Sequence, residues 1–241
     1  MADNGSTDPK MHELYAEFEQ QLPGRFFVES IDIPFNFSTI NNRAVKKAHG
    51  EYLLFLNNDT EVITENWLTL MVSFAQQERI GCVGAKLLYP NNTVQHAGVI
   101  LGLGGVAGHG HYGYPHGDLG YFGRLAINVN YSAVTAACLL MKKADFDAVG
   151  GFEEAFTVAF NDVDLCLKVQ ALGRDNVWLH EAELYHFESQ TRGYDDKGKK
   201  KKRFEQEKVM MEEKWGPLIE NDPFYNPNLT RDIPNLSLRI D

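Results

Sequence analysis

A run of five apolar or aromatic residues, Tyr52 to Leu56, leads directly into three polar residues, Asn57, Asn58 and Asp59. The run has the length and composition of a fully buried β-strand. In open parallel sheets, ligands bind beyond the carboxyl ends of the strands. The sequence therefore predicts that this strand carries the Asp59 carboxylate to a ligand-binding edge. A simple turn is the alternative, because Asn and Asp are frequent turn residues.

A second amide–carboxylate pair, Asn161-Asp162, precedes a segment with helical spacing of apolar residues. That segment, 163–172, stops at Gly173, a common residue after the last turn of a helix. The pair therefore lies at a predicted helix N-terminus. The simplest interpretation is that one of the two residues is the N-cap, because short polar side chains satisfy the free backbone N–H groups there.

The segment 98–124 is rich in glycine and contains His109, His111 and His116. This composition is typical of a long, mobile surface excursion. Residues 102–107 imitate the dinucleotide fingerprint G-x-G-x-x-A, but that motif needs a helix directly after the glycines, and none is predicted. The three histidines could suggest zinc, yet no recognisable ligand set is completed nearby. Neither alternative is favoured.

Helices and strands alternate through the part of the chain that leads to and follows the strand-end motif. The predicted elements are a helix over 11–22, a strand over 25–31, a helix over 38–49 with Ser38 as N-cap, the strand 52–56, a helix over 64–80 with Thr64 as N-cap, and a strand over 82–89. This alternation implies crossover connections and a largely parallel sheet.

The second half of the chain returns to regular structure after the glycine-rich segment. Its predicted elements are a strand over 132–143, a short helix over 144–149, the helix 163–172, one or two strands over 176–187 that carry His180 and His186, a basic run and helix over 197–216, and a tail over 222–240 that wraps the surface.

The composition is that of an ordinary globular chain, with 241 residues, 44% hydrophobic content and a net charge of −10. The length suffices for one α/β domain with a sizeable core. The negative charge argues against a nucleic-acid binder with a broad basic face. Cys82, Cys138 and Cys166 are far apart, which favours buried thiols in a reducing compartment. No apolar run approaches the length of a membrane span, and we expect a cytoplasmic location.

Six segments in a fixed order carry a resemblance to a known family. They are DNGSTD, FNFSTINNRAVKKAHGEYLLFLNND, TAACLLMKKADFDAVGGFEEAF, NDVDLCLK, HFES and DPFYNPNL. In this order they resemble glycosyltransferase family 2, and the resemblance covers essentially the whole chain. It implies one α/β domain over 1–241 with the GT-A fold, which is Rossmann-like with a mostly parallel central sheet. It also implies an inverting enzyme that uses a nucleotide-diphosphate sugar.

The resemblance implies a metal site with Mn²⁺ or Mg²⁺. The family usually has Asp-x-Asp at the strand end, and its last Asp, which binds the metal, matches Asp59. Asn57 replaces the first carboxylate and, with Asn58, is expected to bind the nucleotide sugar. His186 matches a histidine that completes the metal site. Hard oxygen ligands suit both cations, and the cation would neutralise charge on the departing diphosphate.

The resemblance also implies a general base. Asp162 matches the carboxylate that takes a proton from the acceptor hydroxyl as its oxygen attacks the anomeric carbon. The attack comes from the face opposite the phosphate, so one displacement inverts the configuration. The family usually has Glu-Asp at this point, and Asn161 is therefore expected on the acceptor side.

The N-terminal motif ends the second strand in the family, so the first strand, the first helix and most of the second strand are expected to be missing. Asp3 matches a residue that contacts the base, and Asn41 and Asn42 are expected to face the nucleotide. The expected parts of the domain are a truncated nucleotide half (1–97), an acceptor and catalytic half with the glycine-rich loop (98–190), and a C-terminal helix and tail (191–241).

Two classes of function follow. The first is an inverting glycosyltransferase, or a fragment of one, that acts on a glycan or lipid-linked acceptor in polysaccharide assembly. The second is a catalytically incomplete GT-A remnant that serves as a binding or scaffold module. An unpaired sheet edge favours a homo-oligomer, formed through that edge or through the helix around Leu14 and Phe18. Peripheral association with the inner membrane face is a further expectation, and no nucleic-acid partner is expected.

Overall fold

The computed structural model of the protein describes residues 1–187 and 198–239. Its helices are Pro9–Gln21 (α1), Phe37–Val45 (α2), Trp67–Ala75 (α3), Lys143–Ala148 (α4), Asn161–Gln170 (α5) and Gly198–Glu220 (α6). A 3₁₀ segment covers Tyr121–Ala126. The strands are Ala2–Asp3 (β1), Glu29–Ser30 (β2), Tyr52–Leu56 (β3), Thr60–Val62 (β4), Ile80–Leu88 (β5), Val94–His96 (β6), Val99–Leu101 (β7), Ala107–His109 (β8), Val129–Tyr131 (β9), Cys138–Lys142 (β10) and Asp175–His186 (β11).

The predicted α/β class is confirmed, with one correction to the sheet. Its main order is β3-β10-β5-β11-β4, with β6 beside β5 and β9 beside β11. Strands β5 and β11 are parallel, but β10 is antiparallel to both of its neighbours. The start of β10 lies beside the end of β3, where Cys138 is opposite Leu56, so β10 must run back along β3. The expectation of mostly parallel pairing was therefore wrong.

Strand β3 is an edge strand of this sheet, and not the fully buried strand that its apolar run predicts. Leu53 and Phe55 are buried, whereas Leu56 is 44% exposed. Alternate residues of a strand point to opposite faces, so one face of β3 meets the core and the other is partly open. Among the described residues, β10 is the only strand that pairs with β3.

Two hydrophobic clusters cover the two faces of the sheet. Leu139 and Met141 belong to one cluster, while Cys138 and Leu140 belong to the other. Because these four residues alternate along β10, the clusters lie on opposite faces. Helix α3 packs on the second face, and α5 contributes to the first. The sheet is therefore covered on both sides, as in other layered α/β domains.

The predicted helix caps are replaced by long-range contacts. Asn36, and not Ser38, is the N-cap of α2, because the Ser38 hydroxyl donates to the Phe156 carbonyl (2.6 Å). The Thr64 hydroxyl likewise donates to the carbonyl of Glu181 (2.8 Å) and does not cap α3. Each hydroxyl has a partner more than a hundred residues away in the chain, which local spacing does not reveal.

The second half of the glycine-rich segment is exposed, with Leu119 65% and Phe122 89% exposed, as expected for a surface excursion. The first half is part of the core, and there the prediction was wrong. It forms the antiparallel pair β7–β8, and Ile100 and Leu101 are fully buried. Gly98 has a φ of 89° and lies where any Cβ would overlap the Tyr131 ring, so glycine is required by packing there. The C-terminal tail covers the segment, with Asp222 accepting the Leu101 N–H at 2.7 Å.

The N-terminal elements form a separate two-stranded parallel sheet, β1–β2. The predicted strand over 25–31 is reduced to the two residues of β2, and only Tyr15 of α1 is buried. In the described part of the chain, no helix is both long and apolar enough to cross a lipid bilayer.

Candidate active site

The strand-end motif and His186 are brought together by the pairing of β4 with β11. Asp59 lies in the turn between β3 and β4, and Thr60 in β4 is opposite His186 in β11. This register places the Asp59 carboxylate oxygen Oδ1 3.2 Å from His186 Nε2. The Asn57 amide nitrogen is also 3.2 Å from His186 Nε2. Residues 57, 59 and 186 are therefore brought together at one place in the structure.

The orientation of the His186 ring leaves an unprotonated nitrogen facing Asp59. His186 Nδ1 lies 2.6 Å from Gln95 Oε1, and the Gln95 amide nitrogen faces the His186 carbonyl (3.4 Å). Because Oε1 can only accept a hydrogen bond, Nδ1 carries the ring proton. In the neutral ring, Nε2 then keeps its lone pair, which is the form of histidine that binds metals.

The site fits a divalent cation. Asp59 Oδ1 is buried and has no hydrogen-bond donor in the described structure. An unpartnered carboxylate oxygen beside an imidazole lone pair is a ligand pair that Mn²⁺ and similar cations accept. No group of three or more His, Cys, Asp or Glu side chains in the described ranges could hold a metal ion. Among the described residues, Asp59 and His186 are the pair that would hold the cation, with other positions open to phosphate oxygens and water.

Asp162 is the second residue of α5 and its carboxylate is fixed by two backbone donors. Oδ2 accepts the Ala136 N–H (3.1 Å), and Oδ1 accepts the Val163 N–H (2.8 Å). The N-cap of α5 is Phe160, so the expectation that Asn161 or Asp162 caps the helix was wrong. The Asn161 amide donates back to the Val158 carbonyl (2.8 Å), which makes it part of the preceding loop.

The loop 135–137 connects the two halves of the site. The Ala136 N–H binds Asp162, and the neighbouring Ala137 carbonyl accepts the Asn57 N–H at 3.0 Å. Adjacent residues of one loop therefore contact the predicted base and the strand-end motif. This link joins the side of Asp59 and His186 to Asp162 through only two peptide units.

His96 is a residue of this region that sequence reasoning missed. Its Nε2 accepts the Thr135 N–H (3.3 Å), so its Nδ1 carries the proton and faces His109 Nδ1 at 2.8 Å. Burial lowers the pKa of His96 well below its ordinary value, and the neighbouring His109 and His186 lower it further. His96 is therefore a neutral hydrogen-bonding group. Nothing in the sequence around it indicates the contact with Thr135.

The three histidines of the glycine-rich segment have separate partners. His109 contacts His96, and His116 Nε2 lies 2.8 Å from a carboxylate oxygen of Glu183. His111 is buried, where its Nε2 accepts the Tyr121 N–H (3.1 Å). Loss of solvation lowers the pKa of His111 to about 4. The zinc alternative, which the sequence did not favour, gains no support from this arrangement.

The predicted nucleotide-binding residues lie on different elements. Asp3, at the end of β1, is buried and accepts hydrogen bonds from both the N–H and the hydroxyl of Ser6. Asn41 and Asn42 lie on α2, and the Asn41 amide donates to the Phe37 carbonyl. The structure does not join these residues into one group with Asp59.

Asn42 and Asn58 differ in how much of their amide groups is already engaged. The Asn42 amide binds both the N–H and the carbonyl of Phe152 at 2.9 Å and also reaches the Glu154 carboxylate. Asn58 is exposed in the turn after β3. Contact of either residue with a nucleotide sugar stays a prediction. Glu188 and Ser189 of the segment HFES, and the predicted boundary at 190, lie outside the described residues.

Sequence comparison places this arrangement in a family. The profile of glycosyl transferase family 2 matches residues 1–148. The protein y4gI of Sinorhizobium fredii (strain NBRC 101917 / NGR234) is 51% identical over 230 residues, which are 95% of this chain and 25% of that protein. The O-antigen biosynthesis protein RfbC of Myxococcus xanthus is 40% identical over 242 residues, or 99% of this chain and 18% of that protein. The chain thus spans a quarter or less of the length of these two relatives.

Structural comparison identifies the fold as GT-A. GalNAc-T7 in complex with UDP, GalNAc and Mn²⁺ superposes with a TM-score of 0.68 at 13% identity, over 88% of this chain and 41% of that one. The mannosyltransferase PcManGT from Pyrobaculum calidifontis, in complex with GDP-Man and Mn²⁺, gives 0.59 at 15% identity, over 88% of this chain and 52% of that one. At these identities the likeness shows the fold alone, which confirms the predicted fold class.

Proposed function

Since the chain belongs to glycosyltransferase family 2, we propose that it is a catalytic domain that transfers a sugar from a nucleoside-diphosphate donor to a glycan or lipid-linked acceptor, with inversion. The observation that carries this proposal is the link through loop 135–137. It connects Asp162 to the strand-end motif beside Asp59 and His186. A carboxylate base and a cation site on either side of one loop suit a displacement at a carbon that carries a diphosphate.

Asp59 and His186 are the residues that would bind Mn²⁺ or Mg²⁺. When bound, the cation acts as a Lewis acid that stabilises negative charge on the leaving diphosphate. Asp59 Oδ1 and His186 Nε2 provide one anionic and one neutral ligand, and Gln95 fixes the tautomer of the histidine. Two neighbouring structures contain Mn²⁺ with UDP or GDP-Man, which supports a similar donor class here.

Asp162 is the proposed general base. Its two backbone hydrogen bonds orient the carboxylate without using all of its acceptor positions, since each carboxylate oxygen has two lone pairs. The remaining positions can accept the proton of an acceptor hydroxyl as its oxygen attacks the anomeric carbon. A single attack from the face opposite the diphosphate inverts the configuration at that carbon.

The acceptor class is proposed from the relatives. RfbC of Myxococcus xanthus is described as an O-antigen biosynthesis protein, which favours a glycan or lipid-linked glycan acceptor in polysaccharide assembly. The test is transfer from UDP-, GDP- and dTDP-sugars to glycan acceptors with Mn²⁺, with and without chelator. NMR of the product should show the anomeric configuration opposite to that of the donor. Retention of configuration, or transfer that is unaffected by chelation, would contradict the mechanism.

A non-catalytic binding module is the second candidate, and one observation favours it. The Asn42 amide is engaged by Phe152 and Glu154, so little of its hydrogen-bonding capacity is left for a nucleotide. Calorimetry with UDP, GDP and dTDP plus Mn²⁺ separates the two candidates. A module that binds glycan but neither nucleotide nor donor sugar would support the second candidate, whereas measurable transfer would exclude it.

A further inference from the structure

Glu207 on α6 makes an unusual set of contacts with the loop before α5. Its side chain is 2% exposed, and its carboxylate accepts hydrogen bonds from three consecutive backbone N–H groups. The distances are 2.8 Å from Thr157, 3.2 Å from Val158 and 2.8 Å from Ala159. The Thr157 hydroxyl donates a fourth bond at 2.6 Å. Successive N–H groups that converge on one anion define a tightly turned backbone.

The loop 157–159 leads directly to the proposed base. Phe160 follows it with a φ of 60°, which is a left-handed conformation that residues other than glycine seldom adopt. Asn161 and Asp162 come next, and the Asn161 amide donates to the Val158 carbonyl. A backbone in this conformation persists only when its surroundings fix it, and Glu207 supplies four of the hydrogen bonds that do so.

Helix α6 also contacts α5 itself, on the other side of Asp162. Asp164 is fully buried, and its Oδ1 lies 2.6 Å from Lys214 Nζ and accepts the Trp215 indole N–H at 2.8 Å. Helix α6 therefore contacts the loop before Asp162 and the first turn of α5 after it. Two such contacts restrict the position and the tilt of this turn.

We propose that Glu207 is a positioning residue for the general base, acting through the loop 157–159 to fix the first turn of α5 and the carboxylate of Asp162. This inference rests on the proposed function, because it takes Asp162 as the base. The described partners of Glu207 are the loop N–H groups, the Thr157 hydroxyl and the Arg203 guanidinium, so it takes no part in the proton transfer. It is separated in the chain from the loop by about fifty residues, and no local pattern indicates the contact.

Kinetics of the full chain give the first test. Glu207→Ala removes all four hydrogen bonds and should reduce kcat on the order of 10²-fold, the cost of a misplacement of about 1 Å. Glu207→Gln keeps an oxygen in place and loses one acceptor, so it should recover most of kcat. The KM for the donor sugar should change little in both variants, because Asp59 lies in the turn before β4 and His186 lies on β11, away from the loop 157–159.

A double variant, Glu207→Ala with Asp162→Asn, distinguishes a positioning role of Glu207 from a general contribution to folding. If Glu207 acts through Asp162, the double variant should be no slower than Asp162→Asn alone, because residues that act as a unit are non-additive. Met211→Ala, a buried position on the same helix, is the packing control, and its effect should multiply with that of Asp162→Asn. If the fold-losses in kcat of Glu207→Ala and Asp162→Asn multiplied in the double variant as well, the proposal would be overturned.

Amide hydrogen exchange gives a second readout that needs no turnover. The Asp162 carboxylate accepts the N–H groups of Ala136 and Val163, so its displacement should speed exchange at both. We expect faster exchange there in Glu207→Ala and not in Met211→Ala. Unchanged exchange in Glu207→Ala would refute the positioning role even if the protein had no transferase activity. Absent transfer together with faster exchange would refute the proposed function alone.

Discussion

The N-terminal segment 1–30 and the first turns of α5 are packed in opposite ways. Seven of the ten residues of α5 are buried, whereas α1 buries only Tyr15 among its 13 residues. Strands β1 and β2 have two residues each and stand apart from the main sheet. The side of the protein that holds the proposed base and cation ligands is therefore well supported by its own contacts. The side expected to hold the nucleotide has few contacts of this kind.

The largest expected effect concerns the proposed base on the buried side. Asp162→Asn should reduce turnover by roughly 10²–10⁴-fold, the usual loss when a general base is removed. Donor affinity should change little, because the proposed cation ligands Asp59 and His186 lie in the turn before β4 and on β11, and not on α5. Steady-state kinetics and calorimetry with the donor check the two statements. A variant with near-normal turnover would show that Asp162 serves only to organise the loop at Ala136.

The second effect concerns the proposed cation site, which lies on the same side of the protein as the proposed base. Asp59→Asn should weaken Mn²⁺-dependent nucleotide binding on the order of 10²-fold or more, because even indirect changes around a metal ligand cost 10–100-fold. Glu61→Gln is the matched control, as Glu61 is an exposed carboxylate two residues away on β4. Calorimetry with a nucleoside diphosphate and Mn²⁺ measures the difference. Equal binding by both variants would remove Asp59 from the cation site.

A pH titration tests how the burial of His111, in the glycine-rich segment, affects folding stability. Burial lowers the pKa of His111 from about 6.5 to about 4, so the folded state favours the neutral ring. The contribution of His111 to folding stability should therefore be fully present above pH 6.5 and fall by about 3 kcal/mol as the pH drops from 6.5 to 4. His111→Gln, whose oxygen can accept the Tyr121 N–H, should reduce this loss. His12→Gln on α1 should leave it unchanged, and chemical unfolding at several pH values measures all three.

A smaller change is expected when the tautomer of His186 is no longer fixed. Gln95→Leu removes the acceptor at Nδ1 and should raise the Mn²⁺ concentration needed for nucleotide binding by about 10–100-fold. Gln76→Leu, at an exposed position after α3, is the control. Turnover at saturating Mn²⁺ should be close to normal, since Asp162 is unaffected. A change in turnover alone would assign Gln95 to the base side of the site.

The sequence was most informative where the structural cause is local. The apolar run 52–56 and its polar end predicted β3 and the place of Asp59, and the stop at Gly173 matched the end of α5. The metal pair and the base came from the resemblance. The sequence did not predict the contacts that fix these residues, because those contacts join residues far apart in the chain. His96 meets Thr135 across 39 residues and Glu207 meets Thr157 across 50, and no spacing rule covers such distances.

The first half of the glycine-rich segment is a second case in which contacts distant in the chain decide the structure. Its composition predicts an exposed loop, yet Ile100 and Leu101 are fully buried, because the tail packs over it through Asp222. The direction of β10 is also a tertiary property, fixed by its start beside the end of β3. Alternation of helices and strands does not specify that direction.

The smallest effect concerns the exposed face of α1 on the weakly packed side. Leu14, Phe18 and Leu22 are 38%, 37% and 38% exposed and follow each other at helical spacing, which forms an apolar stripe. We expect this stripe to support self-association, with a dimer or higher mass in light scattering. Phe18→Ser should shift the protein toward the monomer and lower its unfolding free energy by about 1 kcal/mol, because Phe18 also packs against the Phe26 ring.

Leu119→Ser is the matched control for that experiment. Leu119 is 65% exposed and lies in the segment before the 3₁₀ turn, so it offers a similar loss of apolar surface elsewhere. The mass should respond to Phe18→Ser and not to Leu119→Ser. Because the stripe lies on the weakly packed side, activity per chain should be equal in the monomer and the dimer. A wild-type monomer, or a Leu119→Ser variant that dissociates while Phe18→Ser does not, would place any association on another surface.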